Sequence, residues 1–526
     1  MQTLSATLNR LAPSATLAMS QKSAELKAQG LDIINLSVGE PDFNTPDHIK
    51  EAAKKAVDDN FSRYSPVPGY PALREAICAK LKNENGLDYT PAQISCSNGA
   101  KQCVCNAVMA LAGKGDEVII PAPYWVSYPQ MVLLADATPV YIEAGIEQDE
   151  PFIFTEKELY AEWQHVEALK ARLEKTEAIA IAVGSGVMND TTKYVSHLIS
   201  RKYMCVGTAA SMDGYTAYGS SITKDGNKQT FDCPAPYGFV MDPVIAADAP
   251  KELAASGYAD LIAKIPAAAD WMLADATGNE AIDEFALNLV QDGLRESLSA
   301  PAAVREGDLK MTELLSEGLL MSGFAMQAIQ SSRPASGTEH QFSHCWDMED
   351  LCFEGKHVSH GFKVGIGTLA STASLEFLLE QDIENLDVDA CVAAWKSWEE
   401  QEAEIRAVFD GMPGHTARGL HETRGKYVDK DGLRTQLEAL KAAWPTLKTQ
   451  IAEQIIPFEQ VRENLRLVGA PYEPEHIGVT RERFRKTFSY IPYMRSRYTN
   501  IDVVYRLGLL PALMERLFGK GGVWEC

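Results

Sequence analysis

Apolar and polar positions along the first 149 residues alternate between two periods. Apolar residues recur at three- and four-residue spacing over 46–58, 71–84 and 100–112, which predicts three amphipathic helices, and the run Val118–Ile120 predicts a strand. The turn-forming clusters Ser65–Gly69 and Gly113–Asp116 separate these elements. A second alternation follows, with a helix expected over 156–175, a strand over Ala178–Val183, a glycine-rich turn, a helix over 190–200 and a strand over Tyr203–Val206. From about residue 246 the helical period persists and β-branched runs become scarce, so the rest of the chain is expected to be mostly helix. The pattern divides the chain into an α/β segment 1–149, an α/β region 150–245, a helical domain 246–400 and a helical C-terminal region 401–526. Its sharpest seam is the acidic run Glu147–Glu150. No internal repeat and no low-complexity linker interrupts it.

Two turns and a set of histidines carry candidate chemistry. In Gly184-Ser185-Gly186-Val187-Met188 a strand runs into a helix, so the backbone can approach a pyrophosphate and the helix N-terminus can face it. Such a turn is more often only a tight turn. The stretch Thr208-Ala209-Ala210-Ser211-Met212-Asp213 offers small residues, hydroxyls and one carboxylate, and by itself reads as a polar loop. His340 and His344 stand four apart, on one face of a helix. His360 follows sixteen residues later, and Asp260 lies where an apolar helix is expected to open. One carboxylate and two imidazoles with an open fourth position make a catalytic zinc- or nickel-type site. Paired histidines also serve structural ends, and spacing alone leaves the two readings even.

Composition narrows the classes. The 526 residues are 46% hydrophobic and 23% charged, a globular balance that excludes collagen-like and wholly disordered chains. Forty-nine Lys and Arg against 72 Asp and Glu give −23, a field that repels polyphosphate. Arg481, Arg483, Arg485, Lys486, Arg495 and Arg497, which alternate with Phe484, Phe488, Tyr490, Tyr493 and Tyr498, are therefore read as a helical pair with aromatics inward and basic residues outward, not as a nucleic-acid patch. Ten cysteines without a CxxC pair argue against a disulfide scaffold and a thiolate zinc knuckle. With no signal-peptide core and no run near 18 apolar residues, a cytoplasmic protein without membrane insertion is expected.

The segments NLSVGEPDF (35–43), YSPVPGYPALREAI (64–77), SNGAKQ (97–102) and PAPYWVSYP (121–129) resemble the N-terminal portion of class I aminotransferases. The resemblance implies that Gly99, Ala100 and Lys101 lie at the phosphate of pyridoxal phosphate and that Trp125 stacks on its ring. The later motifs of that family, a Schiff-base lysine, an acid for the pyridine nitrogen and an arginine for the substrate carboxylate, do not follow residue 150. Pyridoxal phosphate is therefore not the expected cofactor, although a protein using Lys101 and Trp125 stands as a rival reading.

From about Pro151 onward, GSGVMNDTTKY (184–194), TAASMDGYTAYGSSIT (208–223), SGYADLIAKI (256–265), SSRPASGTEHQFSH (331–344) and SHGFKVGIGTLAS (359–371) look like the sn-glycerol-1-phosphate dehydrogenase family. That family belongs to the 3-dehydroquinate synthase and iron-containing alcohol dehydrogenase superfamily. The resemblance implies a dehydroquinate synthase-like fold, in which an α/β N-terminal region with a partial dinucleotide-binding sheet precedes a mostly α-helical metal-binding domain. It implies that Asp260, His340 and His360 hold one divalent ion, zinc or nickel by preference. Gly184, Ser185, Gly186, Val187, Met188, Thr208, Ala209, Ala210 and Ser211 would line NAD(P)H, and Asp213 and His344 match substrate-contacting positions. The small phosphorylated substrate would be dihydroxyacetone phosphate, with Arg333, Lys193, Lys228 and Lys363 as cations for its phosphate.

The family's own first strands are replaced here by the aminotransferase-like segment. Either that segment lends strands to the nucleotide sheet, or the sheet keeps an unpaired edge that favours a homo-oligomer and leaves a catalytically impaired fusion. Gly207, where the family pattern has proline, is expected to loosen the turn that follows.

Overall fold

The computed structural model describes residues 10–11, 15–30, 43–143, 150–156, 159–224 and 227–526. The NLSVGEPDF motif, apart from Phe43, and residues 147–149 of the acidic seam lie outside them, as does the side chain of Lys228. The chain divides into two compact units, Met1–Glu150 and Pro151–Cys526.

In the first unit α1 (Ala15–Ala28), α2 (Asp47–Asp58), α3 (Pro71–Asn85) and α4 (Ala100–Leu111) precede β1 (Glu117–Ala122), α5 (Tyr128–Leu134) and β2 (Thr138–Glu143). The three expected amphipathic helices are α2, α3 and α4, yet none of them buries a residue. β1 and β2 pair in parallel with Glu117 opposite Thr138. Among the described residues the buried apolar cluster of this unit consists of Ile120, Val132 and Ala137.

The second unit opens with α6 (Trp163–Leu173), β3 (Ala180–Gly184), α7 (Gly186–Leu198), β4 (Tyr203–Gly207), the hairpin β5 (Ser220–Lys224) and β6 (Asn227–Phe231), and β7 (Gly238–Met241). α6 starts later than the expected residue 156 because the preceding chain is extended against β5: Thr223 N–H donates to Ala161 at 2.8 Å, and Glu162 bridges Thr223. α7 starts four residues earlier than expected, since the glycine-rich turn closes at Ser185 alone. β3, β4 and β7 form an all-parallel sheet in that order. Among the described residues this sheet shares no strand with β1 and β2. Ile181, Val183 and Val240 of this sheet are each more than half exposed.

The helical remainder carries the main core. Its principal helices are α8 (Lys251–Ile262), α9 (Lys264–Ala276), α10 (Leu309–Ile329), α11 (Thr338–Met348), α12 (His360–Leu379), α13 (Pro413–Lys426), α14 (Lys430–Gln454), α15 (Phe458–Val468), α16 (Arg481–Met494) and α17 (Asn500–Arg506). Tyr258, Leu261, Phe342, Trp346, Ile366, Trp444, Phe484 and Phe488 are buried in one continuous cluster. Among the described residues α12 alone is long and apolar enough to cross a membrane, and it is the buried central helix.

Glycines set how closely the central helices pack. A β-carbon on Gly361 of α12 would stand 1.9 Å from the Ser256 carbonyl oxygen of α8, and one on Gly367 would stand 2.3 Å from that of Glu339 in α11. Only glycine permits these approaches. They draw α8, α11 and α12 together at the level of Asp260, His340 and His360.

Candidate metal centre and nucleotide turn

Asp260 lies in the last turn of α8, not at the opening of a helix as the sequence suggested; His340 lies in the first turn of α11 and His360 is the first residue of α12. One ligand atom from each lies within 4.8 Å of the other two. His340 Nε2 is 3.8 Å from Asp260 Oδ1, and the His340 and His360 ring centroids are 5.3 Å apart. His340 Nδ1 is 2.8 Å from Glu339 Oε1, so the Nδ1 proton is held there and Nε2 keeps its lone pair. Burial and the Lys264 ammonium push His340 down to about 3, and the ring is neutral, the form that binds a metal.

The carboxylates are balanced by a cation that the sequence reading missed. Lys264, wholly buried, stands 2.7 Å from Asp260 Oδ1 and 2.8 Å from Asp213 Oδ2. Burial opposes its charge, and the two carboxylates overcome burial and raise its pKa. Asp260 is driven the other way: burial favours its neutral form, but Lys264, His360 and His340 outweigh it and keep the carboxyl ionised. Asp213 N–H donates to Asp260 Oδ2 at 3.2 Å and Ser322 donates to Asp213 Oδ2 at 2.9 Å, which ties the loop after β4 to the end of α8. Lys264 follows Asp260 by four on the same helical face and belongs to the same SGYADLIAKI segment, a signal present in the sequence.

A second set of polar residues fixes α11. Asp270 accepts from Thr338 N–H at 2.7 Å and from the backbone and side-chain amides of Asn500 at 2.7 and 2.8 Å. The first turn of α11, and with it Glu339 and His340, is thus pinned to α9 and α17. Burial raises both Asp270 and Glu339 to about 7.

His344, one turn beyond His340, is half-buried and accepts from Arg495 NH1 at 2.7 Å through Nε2. Burial and that guanidinium hold its pKa well below the usual range. Aromatics of α16 point inward as expected and Arg485 and Lys486 outward, but Arg495 and Arg497 turn inward, against expectation. Arg497 donates to the Ser336 carbonyl and to the Ser332 hydroxyl, both at 2.9 Å. Three of the four cations proposed for phosphate are engaged elsewhere, and the side chain of the fourth, Lys228, lies outside the described residues. Lys193 is buried and donates to the carbonyls of Gly214, Ala217 and Gly219 at 2.7–3.1 Å. Arg333 is buried against the Tyr498 and Asp270 carbonyls, and Lys363 pairs with Asp347.

At the nucleotide turn β3 ends in Gly184 at φ +151°, Ser185 follows, and α7 begins at Gly186. Val187 and Met188 lie in its first turn. A β-carbon on Gly186 would meet Met212 Sδ at 2.6 Å, so a flexible thioether packs over the glycines. Thr208 N–H donates to the Gly184 carbonyl at 3.2 Å, Ala209 and Ala210 are buried, and Ser211 reaches Tyr215 at 3.4 Å. The structure therefore joins the two turns, 184–188 and 208–211, side by side. Gly207 is not loose: it pairs with Gly184 and Met241, and any β-carbon there would meet Met241 and Phe239 within 2.8 Å.

In the first unit, Gly99 at φ +86° opens α4, and Lys101 Nζ lies 4.6 Å over the Trp125 ring. Lys101 and Trp125 are both exposed.

Residues 31–179 match the family model for aminotransferase class I and II, and residues 135–250 match that for iron-containing alcohol dehydrogenase. The probable aspartate/prephenate aminotransferase of Rickettsia bellii is 58% identical over 149 residues, 28% of this chain and 37% of that protein. The aspartate/prephenate aminotransferase of Cereibacter sphaeroides is 57% identical over 144 residues, 27% of this chain and 36% of that protein. The chain thus spans little more than a third of the length of these curated relatives. A probable glycerol dehydrogenase structure from Sinorhizobium meliloti aligns with 78% of this chain and 94% of its own, at 16% identity and a TM-score of 0.43. Each of the two family models thus matches less than a third of the chain, and the two matched ranges overlap over residues 135–179.

Proposed function

We propose that the Pro151–Cys526 unit is a metal- and nicotinamide-dependent oxidoreductase that interconverts dihydroxyacetone phosphate and sn-glycerol 1-phosphate. The observation that carries this reading is the convergence of Asp260, His340 and His360 from three helices, with His340 Nε2 left free by Glu339. The donor set fits a borderline-soft divalent ion such as zinc or nickel. When bound, the ion supplies Lewis acidity toward a ketone oxygen and the reduced nicotinamide supplies hydride.

The chain's own residues do the rest. Lys264 neutralises part of the Asp260 and Asp213 charge and holds both carboxylates in place. Glu339 fixes the His340 tautomer. Gly184, Ser185, Gly186, Val187 and Met188, with Thr208, Ala209, Ala210 and Ser211, would line the dinucleotide, and the Met212 side chain gives way to it. Arg495 fills Nε2 of His344, so the His344 proton resides on Nδ1, where it is a donor for substrate oxygen. Arg495 also supplies the positive charge a phosphorylated substrate needs in a chain of net charge −23.

The test is the loss of reduced-nicotinamide absorbance when dihydroxyacetone phosphate meets metal-loaded protein, with NADH and NADPH supplied separately. Turnover abolished by a chelator and restored by metal is expected. Absence of turnover with metal bound contradicts the reading. That outcome favours a second one, a chain that holds the ion but no nicotinamide, whose support is the three-stranded sheet. Saturable quenching of tryptophan fluorescence by NADH or NADPH counts against this second reading.

A further inference from the structure

At the far end of α11 a different set of ligating side chains converges. Cys345, in the last turn of the helix, Glu349, which caps it, and His415, two residues into α13, place one ligand atom each within 4.8 Å of one another. We propose that Cys345, Glu349 and His415 form a second metal site, for a zinc-class ion, which fastens α13 to the end of α11.

Four features support it. His415 has only 9% of its surface exposed, and its Nε2 is buried without a hydrogen-bond partner. An orphaned buried nitrogen carries a desolvation penalty that a metal bond at the ring removes. Glu349 is already oriented: Arg483 donates to Oε2 from Nε at 3.1 Å and from NH2 at 2.5 Å, leaving Oε1 directed at Cys345 Sγ, 4.0 Å away. A carboxylate held from behind in this way is what an ion needs of its outer partners. The thiol, buried and pushed up in pKa by burial and by Glu349, has Arg483 and Arg418 nearby, and both favour the thiolate that a bound ion would stabilise. His415 is pushed down by burial, which keeps the imidazole neutral.

The set of one sulfur, one nitrogen and one oxygen suits zinc better than calcium or magnesium. A tetrahedral zinc with these ligands separates them by about 3.4–3.6 Å, given bonds of about 2.0–2.3 Å. The present separations, at most 4.8 Å, need to close by no more than about 1.4 Å. Glu349 lies at a helix end and His415 in a first turn, where rotamer changes provide that movement. The weak S–H···O contact of Cys345 would explain the cysteine and the glutamate without an ion, but it leaves the His415 nitrogen orphaned. This site shares no ligand with Asp260, His340 and His360, and the proposal does not rest on the function assigned above.

Cobalt(II) loading of the full chain tests it, because a thiolate ligand gives an intense near-ultraviolet charge-transfer band that carboxylate and imidazole ligands do not. The work belongs in a Cys352→Ser background, which removes the exposed Asp350, Cys352 and His357 group. The expected result is a saturable band at one equivalent per chain, absent in Cys345→Ser and weakened at least tenfold in affinity in His415→Gln, yet retained in His340→Ala. If the centre at His340 also binds, the parent takes two equivalents and His340→Ala one. If it does not, the parent takes a single equivalent with the band intact. A parent without the band overturns the proposal, as does a band that survives both Cys345→Ser and His415→Gln in variants that keep the parent's circular dichroism.

Discussion

His344 and Arg495 show what a single side chain contributes and what a sequence conceals about it. The guanidinium is delivered by the segment after α16, 151 residues from its partner, and stands 2.7 Å from the ring nitrogen. Read along the chain, Arg495 was one basic residue among six that alternate with aromatics. Only the break in the helix after Met494 turns it inward. Replacing it with methionine keeps most of the bulk and removes the charge. Charge-assisted hydrogen bonds contribute about 1.5–3 kcal/mol each, so Arg495→Met should raise KM for dihydroxyacetone phosphate about tenfold to a hundredfold, while an unphosphorylated ketone loses far less. Equal losses on both substrates would mean that Arg495 supports the fold instead of reading the phosphate. Asp260, His340 and His360 were singled out by the family resemblance, since their spacing alone left a metal site and a structural role even, and the structure brings the three together. Lys264 and Glu339 were not singled out, although one follows Asp260 by four and the other directly precedes His340. The spacing marks Lys264 as a neighbour of Asp260, but only burial turns that lysine and Glu339 into partners of the ligands.

Elements were legible where periodicity was long and uninterrupted, and misplaced where tertiary pairing overrode it. Ala161 and Glu162, in a stretch of helical composition, lie beside β5, and the glycine turn that seemed to delay α7 to residue 190 is spent in one residue. The convergence of α8, α11 and α12 was not visible at all, because it depends on which glycines face a neighbouring backbone. Gly361 is the decisive one, with the Ser256 carbonyl 1.9 Å from where a β-carbon would sit. Overpacking of this kind costs about 1–3 kcal/mol when the backbone can shift. Gly361→Ala should therefore lower the denaturant midpoint and weaken metal binding together, since α12 carries His360. A variant with parental stability and parental metal affinity would show that the three helices are not held by this contact.

The whole molecule is uneven. The second unit has a large continuous core, whereas in the first unit α2, α3 and α4 bury nothing and three residues make up the buried cluster. Local stability follows buried contact, so amides of α2, α3 and α4 should exchange with deuterium far sooner than those of α12; uniform protection across both units would contradict this picture. Fold class was readable from the switch between α/β alternation and sustained helix, but the fate of the sheet was not, because strand partners are a matter of topology and not of composition. The centre built by Asp260, His340 and His360 is the claim on which the functional reading stands. Anomalous scattering from crystals of the zinc-loaded chain, recorded on both sides of the zinc absorption edge, tests it most directly. The account predicts a peak within bonding distance of Asp260, His340 Nε2 and the His360 ring; an empty site flanked by an undisturbed Lys264–Asp260 pair would contradict it.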